Sequence, residues 1–258
     1  MKPLSEYSGK YTTVALERKD GILLMRLHTN DGPYRWSLAA QADIIGALSE
    51  IAADRDNRII VLTGTGTEFS GPRIDPKVDV YKASGVSVTP TQLYTFSNAR
   101  RLMAAWLGIE VPIIAAVNGP VMRHAEIPLM ADIVLASDDA TFEDSAHFHL
   151  GSQVPGDGIN VVLTMLLGLN RARYMMLTGQ VLSSVEAKNL GLVAEVMPRS
   201  ALMPRAWELA HQLASKPDIL LRHTRLALTA PLRKQVNEFV DSTLALEALA
   251  TLGSHGAR

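Results

Sequence analysis

Three short runs, Ile59–Thr63, Ile113–Val117 and residues 133–136, are apolar at nearly every position and are bounded by Gly or Pro. A strand with one wet face alternates apolar and polar side chains, whereas a strand covered on both faces does not, so these runs read as buried strands. Helical stretches such as residues 91–107 lie between them. Buried strands alternating with helices imply βαβ units and an α/β fold.

The N-terminal part adds a hairpin. Thr13-Val14-Ala15-Leu16 alternates with polar positions, Lys19-Asp20-Gly21 supplies the turn, and an apolar run resumes at residues 22–27. Between residues 37 and 53, Leu38, Ile44, Ile45, Leu48 and Ile51 recur at helical spacing, with Ser37 as the expected N-cap. After Asn170 the pattern turns almost wholly helical, apart from a short strand expected at residues 192–196. Ser183 and Glu186 form a capping box that opens one helix, and Gly191 closes it. Three further helices are expected over residues 201–214, 217–228 and 232–251, the last beginning just after Pro231. Such an end has few apolar partners in its own chain, which points to packing on a neighbouring subunit.

Composition narrows the chemistry. With 258 residues, 47% of them hydrophobic, the chain can bury a full core as one large domain or as a domain with a helical appendage. Its 25 basic and 26 acidic side chains form no block of like charge, so nothing steers it toward nucleic acid or anionic lipid. There is no cysteine, hence no thiolate nucleophile, disulfide or thiolate metal site. The first residues lack an apolar signal stretch, no run is long enough to span a bilayer, and a cytoplasmic location is expected.

Several motifs are weak. Thr63-Gly64-Thr65-Gly66-Thr67 lacks the third glycine of a dinucleotide loop and reads as a strand-ending turn. His147 and His149 lack a third ligand at metal spacing, so no metal is expected. No Gly-x-Ser-x-Gly elbow is present. Two stretches are richer: residues 118–126, and residues 142–149 running on to Val154-Pro155-Gly156-Asp157-Gly158. Both follow a strand, where ligands of open α/β sheets bind. A histidine whose tautomer is fixed by a carboxylate can take a proton from water, and His147 with Asp157 are such a pair, leaving His124 to donate to an oxyanion. From spacing alone an equal alternative stands: Asp157 caps the helix beginning near Gly158, and His124 and His149 are surface histidines. Glu247 falls on an apolar helical face, which marks either a site or a lone solvated glutamate.

Taken together, Arg58-Ile59-Ile60-Val61-Leu62-Thr63-Gly64, Phe69-Ser70-Gly71, Val111 through Gly119, Ala131 through Ala136, Ala140-Thr141-Phe142, Thr178-Gly179-Gln180 and Ala187 through Val193 resemble the crotonase superfamily in order and spacing. The resemblance implies a ββα spiral core over residues 1–198, a C-terminal helical trimerisation region over residues 199–258, assembly as a homotrimer or dimer of trimers, and enolate stabilisation by backbone N–H groups. Three departures matter. Arg123-His124-Ala125 stands where acyl-CoA enzymes of the family carry glycines, the usual acidic catalysts of the hydratases are not evident near Glu126 to Pro128, and Pro72 interrupts the other oxyanion loop, leaving the Gly71 N–H as its donor.

One branch, 6-oxocamphor hydrolase and related β-diketone hydrolases, is similar through Asn118-Gly119-Pro120-Val121, His124, Glu126-Ile127-Pro128, Phe142, His147-Phe148, residues 154–158 and residues 204–210. The resemblance implies retro-Claisen cleavage of a cyclic 1,3-diketone to a keto acid, without CoA or any cofactor. It assigns His147 as base, Asp157 as its orienting acid, His124 as oxyanion donor, Glu247 as a second water ligand, and Trp36, Gly71 and Phe142 as substrate-binding residues. A CoA-thioester hydratase or hydrolase, and a non-catalytic scaffold of the same fold, are the rival expectations. The loop 81–89 is expected to shape the pocket.

Overall fold

In the computed structural model, which describes residues 3–75, 77, 88–151 and 153–255, the apolar runs are strands covered on both faces. The hairpin pairs β1 (Val14–Lys19) with β2 (Ile22–Leu27), and its two-residue turn has positive φ at Asp20 (52°) and Gly21 (77°), as the twist of a tight hairpin requires. From β2 the sheet continues in parallel through β3 (Ile59–Thr63), β4 (Ile113–Val117), β5 (Ile133–Ser137) and β8 (Glu195–Met197). Alternate residues of these strands enter two cores. Leu23, Met25, Ile60, Leu62, Ala115 and Val117 pack against the helical side, while Ile22, Leu24, Ile59, Val61, Ile114 and Leu135 face the other way. Continuous apolarity is thus the signature of two buried faces.

Helices α1 (Leu38–Ala53) and α2 (Val88–Gly108) pack together on the first face. Ser37 caps α1, its Oγ accepting from Ala40 N at 3.1 Å, a contact worth about 1 kcal/mol. Against the second face lies α7 (Arg199–Ala214), through Leu202, Ala206 and Ala210.

A second, much shorter ladder runs alongside. Trp36 N donates to Gly71 O (2.9 Å) and Gly71 N to Tyr34 O (3.0 Å); Met122 N donates to Ser70 O (2.9 Å) and Val121 N to Thr141 O (2.8 Å). The ladder ends where β6 (Thr141–Phe142) pairs with β7 (Leu182–Ser183). Each of its first four rungs follows one strand of the main sheet, so successive turns of chain repeat strand, rung and helix. That is the ββα spiral implied by the resemblance. Turns must lie close to one another at the crossover: Asn118 Oδ1 accepts from Gly64 N at 3.0 Å, and a Cβ at Gly119 would stand 2.0 Å from Thr67 O, so only glycine fits there. The 63–67 glycines therefore serve a turn locked by Asn118.

Two expected elements differ. The strand foreseen at residues 192–196 pairs only from Glu195, because Leu192 N is spent closing α6 (Ser184–Asn189) on Ala187 O at 2.9 Å, with Gly191 at φ 83°. The two last helices are one, α8 (Asp218–His255), with Pro231 inside it. Proline removes one hydrogen bond, but both flanks are anchored: Arg225 Nε on Asp132 at 2.7 Å before it, and Val236, Val240 and Leu244 in the core after it. This second half packs on α2 and on α4 (Ile159–Leu167). Among the described residues no helix is long and apolar enough to cross a membrane. Of the expected pocket loop, residues 81–87 lie outside the described residues.

Candidate functional site

The rungs deliver the candidate residues. Trp36 sits on the first, residues 123–126 leave the third, and residues 143–149 leave the fourth. His124 takes a left-handed backbone, φ 56°, in the segment where the sequence has Arg-His-Ala in place of glycines. It keeps the conformation glycine favours while adding an imidazole. Histidine tolerates this region better than most residues, at a cost of about 1 kcal/mol. The Trp36 ring stacks on His124, centroids 3.5 Å apart and planes 28° from parallel. Asp157 lies on the turn before α4, where Gly156 lets α8 approach: a Cβ there would meet Thr243 O at 2.3 Å, and Thr243 Oγ1 donates to Gly156 O at 2.8 Å. One helical turn beyond Thr243, this docking buries Glu247, which is only 4% exposed.

Asp157 bridges the two histidines. Its Oδ2 is 3.3 Å from His124 Nδ1 and 3.6 Å from His147 Nε2, while its Oδ1 stands 3.4 Å from Ile159 N, too long for a strong cap. The nearer partner of each histidine is another acid. Asp144 Oδ1 lies 2.7 Å from His147 Nδ1, and Glu126 Oε1 lies 2.7 Å from His124 Nδ1. The pairing expected for His147 is therefore corrected: Asp144, three residues earlier on the same turn, holds Nδ1, and Asp157 faces the opposite nitrogen. Neither Asp144 nor Glu126 was singled out from sequence. The three-residue spacing of Asp144 and His147 was the available signal for the first.

Burial and charge divide these groups sharply. Burial pushes His124 down to about 3, and Arg123 and His147 add to it against the pull of Asp157. Burial would lower His147 too, but Asp144 and Asp157, with Glu247, outweigh it and raise it to about 10. Glu247 is raised to about 8, by burial first and by Asp157 second, against His147. Burial and then Asp157 raise Glu126 well above the carboxylate range. Asp144 is held low: burial opposes this, and the charge and hydrogen bond of His147 prevail. Burial and neighbouring charge thus push the two histidines in opposite directions around one carboxylate.

Two expected substrate contacts are not free. Gly71 N–H already donates to Tyr34 O, so the ladder consumes the oxyanion donor foreseen there. Phe142, 0% exposed and paired with Leu182, is core. His149 is exposed, as a surface histidine would be. His124, Glu126 and Asp157 have donor atoms within 4.8 Å of one another. The 2.7 Å approach of Nδ1 to Oε1 is nevertheless a hydrogen-bond contact, shorter than the roughly 3.3 Å between tetrahedral ligands at ~2.0 Å from zinc.

Comparison with known proteins places this geometry. The family model for enoyl-CoA hydratase/isomerase matches residues 17–249. A Dictyostelium discoideum protein named probable mitochondrial enoyl-CoA hydratase is 28% identical over 234 residues, 88% of this chain and 79% of the relative. A Mycobacterium tuberculosis protein with a similar name is 33% identical over 185 residues, 68% of this chain and 62% of its own length. Among solved structures, a β-diketone hydrolase from the cyanobacterium Anabaena sp. PCC 7120, bound to (S)-3-oxocyclohexyl acetic acid, superposes with TM-score 0.88 at 36% identity, covering 98% of each chain. An enoyl-CoA hydratase/isomerase from Mycobacterium paratuberculosis, 22% identical with TM-score 0.82 over 93% of this chain and 94% of its own, shares the fold. The spiral of paired strands and helices and the match over most of the chain make it a member of the enoyl-CoA hydratase/isomerase family, the crotonase superfamily.

Proposed function

We propose that the protein hydrolyses a carbon–carbon bond of a cyclic, non-enolisable 1,3-diketone, giving a keto acid. The observation that carries this reading is the buried arrangement of two imidazoles about one carboxylate, Asp157 Oδ2 lying 3.3 Å from His124 Nδ1 and 3.6 Å from His147 Nε2, with Asp144 2.7 Å from His147 Nδ1 to fix the tautomer a base needs. Support also comes from the 36% identical β-diketone hydrolase, whose bound (S)-3-oxocyclohexyl acetic acid is itself a keto acid.

Water held between His147 and Glu247 attacks one carbonyl carbon, and its proton passes to His147 Nε2. Asp144 and Asp157 hold His147 up to about 10, so it must release a proton before it acts as the base. The tetrahedral adduct then collapses, the carbon–carbon bond breaks, and its electron pair becomes an enolate whose oxygen accepts a hydrogen bond from His124. The proton on His147 moves to the enolate carbon, completing the keto acid and restoring the base. A neutral imidazole suits the donor role because it gives a hydrogen bond without giving up a proton. Its loss costs on the order of a hundredfold or more in kcat, about 3–4 kcal/mol. Trp36 holds the ring by stacking.

Assembly through the C-terminal helices, as a trimer or dimer of trimers, belongs to the same proposal and is supported by the exposed Ile219, Leu228, Leu246 and Leu249 on α8. The second reading, a CoA-thioester hydratase, is favoured by the names of the sequence relatives. Against it stand the engaged Gly71 N–H and the absence of an N–H at Pro72. The test is product analysis after incubation with bicyclic 1,3-diketones and, separately, with enoyl-CoA thioesters. Keto acid formed by wild type and lost in His147→Ala and His124→Ala supports the proposal. Hydration of the thioesters with no diketone turnover refutes it.

A further inference from the structure

His124 Nδ1 faces two acids at once, Glu126 Oε1 at 2.7 Å and Asp157 Oδ2 at 3.3 Å. A neutral imidazole carries one N–H, and its place decides what the ring can do. If Nδ1 holds the hydrogen, it is spent on these carboxylates and Nε2 presents a lone pair, which repels an enolate. If Nδ1 accepts, Nε2 carries the hydrogen and can donate. The second arrangement needs a donor opposite Nδ1, and only an acid bearing a proton supplies one.

Geometry selects which acid that is. Glu126 is 1% exposed, and its Oε2 is buried with no hydrogen-bond partner among the described residues. An ionised carboxylate oxygen left unpartnered in such a place is among the costliest arrangements a fold can hold, whereas a carboxylic acid there leaves only a weak carbonyl acceptor unmet. Asp157, by contrast, has His147 on its other side at 3.6 Å. Charges facing Glu126 come from Asp157, Asp144, His147 and Arg123; its own backbone N–H and the two cations favour the carboxylate, while burial first and Asp157 second push it toward the neutral acid and prevail. The left-handed turn at His124 brings the side chains of residues 124 and 126 together on the entry to α3 (Glu126–Leu129).

We infer that Glu126 is a positioning residue: held as a carboxylic acid, it donates its O–H to His124 Nδ1 and so fixes the tautomer whose Nε2–H faces the enolate. This rests on the reading of His124 as the enolate donor, yet its first two tests need no substrate. In protein labelled with 15N-histidine, the His124 signals, identified by their loss in His124→Gln, are expected to show the hydrogen on Nε2 and none on Nδ1. The infrared difference between wild type and Glu126→Gln at neutral pH is expected to contain the C=O stretch of a carboxylic acid. In diketone hydrolysis, Glu126→Gln, whose amide N–H can replace the lost O–H, is expected to keep kcat within about threefold, while Glu126→Met, similar in size and without a donor, loses about a hundredfold in kcat at nearly unchanged KM. A hydrogen found on Nδ1, or a difference spectrum showing only ionised carboxylate, overturns the inference whatever the substrate proves to be. Absence of diketone turnover with the Nε2–H and the acid band both present leaves Glu126 as assigned and refutes the proposed reaction instead.

Discussion

Replacing Asp144 by asparagine separates the two carboxylates that compete for His147. Asparagine keeps an oxygen to accept the Nδ1–H at 2.7 Å and removes the charge. Hydrogen bonds to a charged group are worth roughly 1.5–3 kcal/mol, and 1.36 kcal/mol is one pKa unit, so losing this charge lowers His147 by about one to two units from about 10. The sign for catalysis follows from the base role: only unprotonated His147 accepts the proton from water. In wild type, kcat/KM, which reports the free enzyme, rises about tenfold per pH unit until His147 ionises near pH 10. In Asp144→Asn the limb levels off at lower pH; in Asp157→Asn, farther away at 3.6 Å, it moves less. The rate on the plateau is not diagnostic, because an asparagine amide that turns its NH2 toward Nδ1 installs the wrong tautomer and depresses turnover severely. The assay is a pH–rate profile on the diketone, paired with an NMR titration of the His147 ring protons. An unmoved limb in Asp144→Asn, or a larger displacement in Asp157→Asn, refutes the assignment of Asp144 as the partner.

Glu247→Gln tests the cost of burying an acid. The folded pKa of Glu247, about 8, lies above its unfolded value of 4.5, so its stabilising contribution is full below pH 4.5 and is lost as pH rises to 8. Denaturant unfolding is therefore expected to show the glutamine variant gaining on wild type across that window, by about 5 kcal/mol at most, and a pH-independent difference would contradict the burial argument. At His124, glycine and alanine both delete the imidazole and both lower kcat on the order of a hundredfold or more, but glycine relaxes at φ 56°, so His124→Gly should exceed His124→Ala in stability by about 1 kcal/mol. Equal midpoints would mean that the left-handed turn carries no strain.

Strands β3, β4 and β5 were legible because two-sided burial writes itself as unbroken apolarity. The second ladder was not, since its rungs are one or two residues long and Val121 or Phe142 carries no periodicity of its own. Glu247 announced itself as a carboxylate on an apolar face, and the fold buries it at the site. Pro231 misled because a missing N–H is a local penalty, while the anchoring of both flanks of α8 is tertiary. The sequence likewise pairs His147 with Asp157 without showing the nearer Asp144: the two acids stand on opposite sides of the ring, and which nitrogen each meets depends on how residues 143–149 leave the fourth rung. Glu126 escaped notice because its role depends on the left-handed backbone two residues earlier, which no spacing rule reveals.

The parallel sheet also sets the tempo at which a working molecule can arise. Lys19 finds Ile22 almost at once, but Ile60 must find Ile113, and Leu135 must find Glu195, across long intervening stretches of chain. Loop-closure entropy must be met before such distant pairings reward it, so the sheet is expected to assemble slowly while β3, apolar along nearly all its length, waits for β4. The site is completed only when α8 docks over Gly156 and buries Glu247. In refolding from denaturant, recovery of helical circular dichroism should therefore precede recovery of turnover, and aggregation should be most severe in the interval between the two.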